Sequence, residues 1–144
     1  MRPYKRIERC IARYLGPRYH TAVEIGVGVN FEVADALSRQ GCRVSCTDIH
    51  PGRSPSPTLP VFVDDIFRPT ESIYLGADLL YAVRPGVEMV PALIDLACRI
   101  DADLLVYHLG NELYEGGGEV IECGVTLHRY HRRTGRGSTP QYGR

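Results

Sequence analysis

The stretch Ala22-Val23-Glu24-Ile25-Gly26-Val27-Gly28-Val29-Asn30 decides the fold. Residues 21–25 read as a short buried strand, Gly26-Val27-Gly28 as a tight turn, and the residues after Asn30 as the opening of a helix. Such a junction leaves no Cβ where a ligand must come close, and it points helix N–H groups at any oxygen lying above the strand. Asp48 stands 22 positions after Gly26, at the end of the next apolar run. A strand-end carboxylate there accepts both hydroxyls of a ribose. Glycine turn and strand-end acid together predict a cradle for a nucleoside cofactor.

Outward from this junction, strands and helices alternate. Upstream, Ile7, Cys10, Ile11, Tyr14 and Leu15 keep the i, i+3, i+4, i+7 spacing of a helix over 4–15, which Gly16-Pro17 stops. Downstream, Asn30 is read as the N-cap of a helix over 31–40, with Val33, Ala34 and Leu37 inward and Gly41 closing it. Strands are expected at 43–48, 61–63, 77–83 and 103–108, with a helix beginning near 87–91 that turns Val90, Leu93, Ile94, Ala97 and Ile100 inward. Pro91 fits only the first turn of that helix. Residues 50–57 are too rich in Pro and Gly for the crossover helix normally placed between the second and third strands. After Gly116-Gly117-Gly118, residues 119–130 give one or two strands broken at Gly124. This order predicts an α/β fold: a three-layer sandwich around a mostly parallel, doubly wound sheet, Rossmann-like and minimal. One domain is expected over 1–132, followed by a disordered tail over 133–144.

The glycine spacing distinguishes between cofactors. A dinucleotide fold takes its third glycine at position 31, where this chain has Phe31. Class I S-adenosylmethionine (SAM)-dependent methyltransferases instead show an acid two residues before G-x-G-x-G. Glu24, Gly26 and Gly28 match that pattern, and Asn30 stands where the last glycine would be. The chain therefore resembles that fold over about residues 20–110. The resemblance implies SAM as cofactor, with the Gly26–Asn30 turn against its methionyl and ribose part. It implies Asp48 on the ribose hydroxyls, Ile49 beside the adenine, and Asp64 or Asp65, with Ile66, near the adenine ring and its amino group. The E-I-G-V-G turn, the T-D-I-H-P strand end and the D-L-L-Y-A-V-R-P segment also resemble a small uncharacterised archaeal family with this methyltransferase-like fold.

Catalytic residues are not legible. Amino-directed methyltransferases often carry Asn-Pro-Pro-Tyr after the fourth strand, where this chain reads Leu80-Tyr81-Ala82-Val83-Arg84-Pro85. Tyr81, Arg84 and His108 are the substrate-side candidates, His108 because imidazole titrates near neutral pH. His128-x-x-His131 lies in a strand pattern that sends its two rings to opposite faces, so no metal site is expected. Two readings follow: a minimal methyltransferase acting on RNA or an RNA–protein particle, or a non-catalytic Rossmann-like binding module that has lost methyl transfer.

Formal charge sums to zero, but residues 1–18 carry a net +5, residues 128–144 a net +5, and the body between them a net −10. Basic ends on an acidic body imply internal attraction, or a surface for RNA or a protein partner. The five cysteines show no metal spacing and four sit in apolar patterns, which predicts a reducing, cytoplasmic setting without disulfides. The N-terminal residues lack the apolar run of a secretory signal, and no run reaches membrane-spanning length.

Overall fold

The computed structural model describes residues 3–50 and 52–135. Helix α1 spans Pro3–Leu15, α2 Glu32–Arg39 and α3 Val90–Ile100. The strands are β1 (Thr21–Ile25), β2 (Arg43–Asp48), β3 (Val61–Val63), β4 (Leu79–Val83), β5 (Asp103–Tyr107), β6 (Glu119–Glu122) and β7 (Thr126–His131). They form one sheet in the order β3-β2-β1-β4-β5-β7-β6. The first five strands are parallel, and the β6–β7 hairpin joins antiparallel to β5. This is the Rossmann-like sandwich expected from the sequence, with the break in the last segment placed at residues 123–125.

Side-chain alternation divides the core. Ala22, Val44, Cys46, Leu79 and Leu105 pack against Ile11 and Leu15 of α1 and Val33 and Leu37 of α2. Val23, Leu80, Leu104 and Val106 pack against Leu93, Leu96 and Ala97 of α3. The central strands β1, β4 and β5 are buried on both faces, which is why they read as apolar runs.

Several boundaries differ from expectation. The N-cap of α2 is Phe31 rather than Asn30, although Asn30 Oδ1 still accepts the Glu32 N–H at 3.1 Å. α3 starts at Val90, within the expected range, but Ile94 is only half-buried and Leu96, outside the expected inward set, is fully buried. Among the described residues no helix connects β2 to β3. The loop is instead held by the Ser54 and Ser56 hydroxyls, which bond to the backbone of Ser56 and Thr58 and, from Ser56, to the Thr58 hydroxyl, and it plugs Leu59 into the core.

Residues 133–135, placed in the tail by the sequence reading, are bonded to the body. Arg133 N–H donates to Asp103 Oδ1 at 2.6 Å, and the Thr134 and Gly135 N–H groups donate to Asp101. Residues 136–144, with Arg136 and Arg144, lie outside the described residues, as does Arg2. Asp103 also accepts the Tyr19 hydroxyl and the Arg129 guanidinium, tying the α1–β1 connection to β7 and to the chain beyond it. Asp103→Ala therefore strands a guanidinium, a hydroxyl and an amide. It should lower unfolding free energy by about 2–4 kcal/mol in urea titration. A loss under about 0.5 kcal/mol, the range of ordinary surface changes, would show that these bonds are replaced by water.

Candidate functional site

The parallel strands end along one edge of the sheet, and the glycine turn rises there from β1. Gly26 has φ +77 and Gly28 φ +59, left-handed backbone that side chains rarely tolerate. The Gly26 and Val27 N–H groups both bond to the Thr47 carbonyl, so the turn leans over the end of β2. Asp48 braces it from below: its Oδ1 accepts the Gly28 N–H at 3.1 Å and its Oδ2 accepts the His50 N–H at 3.0 Å. Each oxygen keeps a further lone pair for a ligand.

A crevice of about 270 Å3 opens beside this turn. Its walls include Gly26, Asp48, Ile49, Asp64, Asp65, Ile66 and Arg84, seven of the residues singled out by sequence. Ile25, Thr47, Phe67, Pro85 and Met89 complete it. The Asp64 carboxylate is committed to the fold, accepting the Thr70 N–H and the Tyr74 hydroxyl, the latter at 2.6 Å. Burial and this carboxylate push the Tyr74 hydroxyl well above its ordinary pKa. Asp65 receives one bond, from the Phe67 N–H to Oδ1, and keeps its other oxygen for the crevice. Ile49 and Phe67 remain more than half exposed, so the crevice presents uncovered apolar surface.

Glu24 and Asn30 are elsewhere. Ile25 faces the α3 side and lines the crevice, so its neighbour Glu24 must face α1 and α2. There it is 3% exposed and accepts the Tyr81 hydroxyl at 2.8 Å. Burial is the main force raising its pKa to about 8, the Tyr81 bond opposes the rise, and the Glu8 charge adds to it. Tyr81 lies in the core with its hydroxyl bound to Glu24, which corrects its expected place at the substrate. Gly28 reaches the crevice only through its bond to Asp48.

Glu8 of α1 is the residue that sequence reading passed over. It is 2% exposed, and its Oε2 receives Asn30 Nδ2 at 2.8 Å and the Arg84 guanidinium at 2.7 Å. Its Oε1 is sealed from solvent and has no partner, the one such side-chain atom among the described residues. Glu8, Glu24, Asn30 and Arg84 line a separate cavity of about 260 Å3, with Val27, Val33 and Val83. Arg84 belongs to both recesses and forms the wall between them.

His108 lies on neither. It borders a third, open groove with His128, and it is buried to 7%. Burial, then the nearby His128 ring, pushes its pKa down. No cluster of three or more metal-ligating side chains exists among the described residues.

The model of the uncharacterised protein family UPF0146 matches residues 7–129, and the chain belongs to this family. The UPF0146 protein of Archaeoglobus fulgidus is 35% identical over 106 residues, covering 73% of this chain and 81% of that one. That of Pyrococcus horikoshii is 33% identical over 112 residues, covering 75% and 86%. Among solved structures, magnesium protoporphyrin IX methyltransferase from Synechocystis, with SAM bound, superposes with TM-score 0.59 at 16% identity, over 89% of this chain and 75% of that one. The sugar N-methyltransferase KedS8 from Streptoalloteichus superposes with TM-score 0.53 at 15% identity, over 82% of this chain and 54% of that one. The N-terminal domain of EvdMO1, with SAH bound, gives TM-score 0.50 at 19% identity, over 79% and 56%. The chain thus spans little more than half the length of the last two. The fold is methyltransferase-like, and no helix among the described residues is long and apolar enough to cross a membrane.

The raised pKa of Glu24 has a stability consequence. A carboxyl whose folded pKa exceeds its unfolded value stabilises the fold fully below the unfolded pKa, and this contribution is lost as pH rises through the folded one. From the ordinary 4.5 to about 8, that loss is on the order of 4 kcal/mol. Glu24→Gln should flatten the decline of urea-unfolding free energy between pH 5 and 8.5, and should exceed wild type at the upper end. An unchanged slope would assign the decline to other groups.

Proposed function

We propose that this UPF0146 member binds SAM along the sheet edge and serves as a minimal methyltransferase. The crevice residues fit an adenosyl group. Asp48 is placed for the ribose hydroxyls, Ile49 and Phe67 offer apolar cover for a flat ring, and Asp65 rather than Asp64 has the free oxygen for an adenine amino group. The observation that carries the reading is the sealed Oε1 of Glu8. A buried carboxylate oxygen without a donor is costly, and the same residue lines a cavity shared with Arg84. An ammonium group satisfies it, and Arg84 in the same wall suits an adjoining carboxylate. Together these are the two ends of an amino-acid tail. Cation binding would also draw Glu24 toward its ionised form.

SAM supplies a methyl group already activated on sulfur, so little covalent chemistry is asked of the protein. Its residues hold, orient and exclude water. One observation favours the second reading, a binding module without transfer. Arg84 occupies the end of β4, where amine-directing polar groups would stand, and is committed to Glu8. Binding is common to both readings; transfer belongs to the first alone.

Isothermal titration with SAM tests the binding. Asp48→Ala should weaken it at least about tenfold, from loss of the ribose bonds. Glu8→Gln should weaken SAM more than 5′-deoxy-5′-methylthioadenosine, which lacks the amino-acid tail. Equal affinity of wild type and Asp48→Ala would remove the ribose assignment, and equal losses for both ligands in Glu8→Gln would remove the tail from the cavity.

A further inference from the structure

The third recess is the largest, an open groove of about 770 Å3 at the end of β5. Antiparallel pairing sets Val106 opposite His128, which brings His108, His128 and Tyr130 together, with the two imidazole centroids 5.1 Å apart. Their hydrogen bonds fix the tautomer of His128. The Gly117 carbonyl can only accept, so His128 Nδ1, at 2.8 Å, carries the hydrogen and Nε2 is left with a lone pair. The Tyr130 hydroxyl accepts the Tyr114 N–H at 3.2 Å and shares a second hydrogen bond with His108 Nε2 at 2.6 Å. His108 Nδ1 is left free, a donor in one tautomer and an acceptor in the other. Neither free ring nitrogen has a protein partner, and neither is sealed, since Glu8 Oε1 is the one sealed unpartnered side-chain atom among the described residues.

This arrangement is enforced by the chain. Gly117 has φ +85, and a Cβ there would lie 3.0 Å from His128 Nδ1. Glycine is thus needed for its carbonyl to approach the ring. The groove therefore presents one fixed acceptor, His128 Nε2, beside a second free ring nitrogen, His108 Nδ1, which donates when Nε2 accepts the Tyr130 hydrogen. Ile7, Leu113, Val120 and Tyr107 supply apolar and aromatic surface, and Arg6 adds a positive charge. A flat heterocycle with an N–H next to a C=O or ring nitrogen, joined to an anion, matches all three features. The volume suits one such unit.

The charge around it extends the match. Arg6, Arg9 and Arg13 follow i, i+3, i+7 spacing, so they share one face of α1, and all three are exposed. None takes part in the ion pairs of the described residues. A row of cations leading from the groove is what successive phosphates of a strand require. We propose that the groove binds one nucleotide of single-stranded RNA, with its base edge on His108 and His128, its phosphate at Arg6, and neighbouring phosphates along Arg9 and Arg13. The inference does not depend on SAM binding and would hold in a protein that transfers nothing.

Cytidine ligands test it, because they avoid the adenosine-shaped crevice. Imidazole C–H resonances of the wild-type protein are followed by NMR against hexacytidylate and against cytidine 5′-monophosphate. The expected result is that both shift His108 and His128, with the hexamer binding at least about tenfold more tightly through its added phosphates. The hexamer's log affinity should fall against log salt with a slope of about −2, as three phosphate contacts on a single strand give, and Arg9→Gln should reduce the slope by about 0.7. His128→Gln should weaken both ligands; Arg9 is exposed, so its variant keeps the test valid if His128→Gln misfolds. No shift at either histidine at low salt overturns the groove. Equal affinity for the two ligands, or a flat salt response, overturns the strand and its arginine track.

Discussion

The ion pair between Glu8 and Arg84 is the joint on which the upper edge of this molecule depends. It links α1 to the end of β4 across 76 residues of chain, at 2.7 Å and with Glu8 almost wholly buried. Removing one partner of such a pair commonly costs about 3–5 kcal/mol, since the other is left charged and unsolvated. Arg84 is also held at φ +58, unusual backbone for a residue with a side chain, and its N–H donates to the Tyr107 carbonyl at 2.6 Å. The guanidinium divides the crevice from the acidic cavity, and it lies over the Tyr107 ring, 5.3 Å from its centroid, where the third groove begins. Two recesses therefore meet at one side chain, the third begins at the ring beside it, and the position of that side chain is fixed by a carboxylate from a different layer.

The crevice is legible in the sequence because its parts are local. Glycine turn, strand-end Asp48 and the Asp64-Asp65 pair each follow an apolar run, and parallel strands in register bring their ends to one edge. The side of the sheet reached by each residue is a subtler matter. Glu24 was grouped with the crevice by its place in the motif, but a period of two sends it to the face opposite Ile25, against Tyr81 and Glu8. Glu8 itself left a signal: with Ala12 and Leu15 it falls at i, i+4, i+7 on the buried stripe of α1, a lone acid where only apolar residues belong. The His108–His128 pair left none. It arises from strand pairing between β5 and β7, which no spacing along the chain expresses.

The missing crossover helix between β2 and β3 shapes the site as well as the fold. With a bonded loop in its place, β3 is a three-residue edge strand whose Phe62 and Val63 stay largely exposed. Ile49 and Phe67 stand open beside it for the same reason. A short edge strand resists pairing with other chains, so the economy does not carry the usual penalty of an exposed sheet edge.

Charge completes the argument, because the two basic ends serve different purposes. Toward the C-terminus, Arg129 bonds Asp103 and Glu119, Arg132 bonds Glu119, and the backbone at 133–135 is held by Asp101 and Asp103. Those partners push the Arg129 pKa further up and lower that of Glu119. Among the described residues, Arg129 and Arg132 thus spend their charge on acids of the body. At the N-terminus the one acid of the helix, Glu8, turns inward to Arg84, while Arg6, Arg9 and Arg13 turn outward with no ion pair among the described residues. A chain of zero formal charge thus keeps a positive face on α1, and Arg6 carries it to the groove lined by His108 and His128.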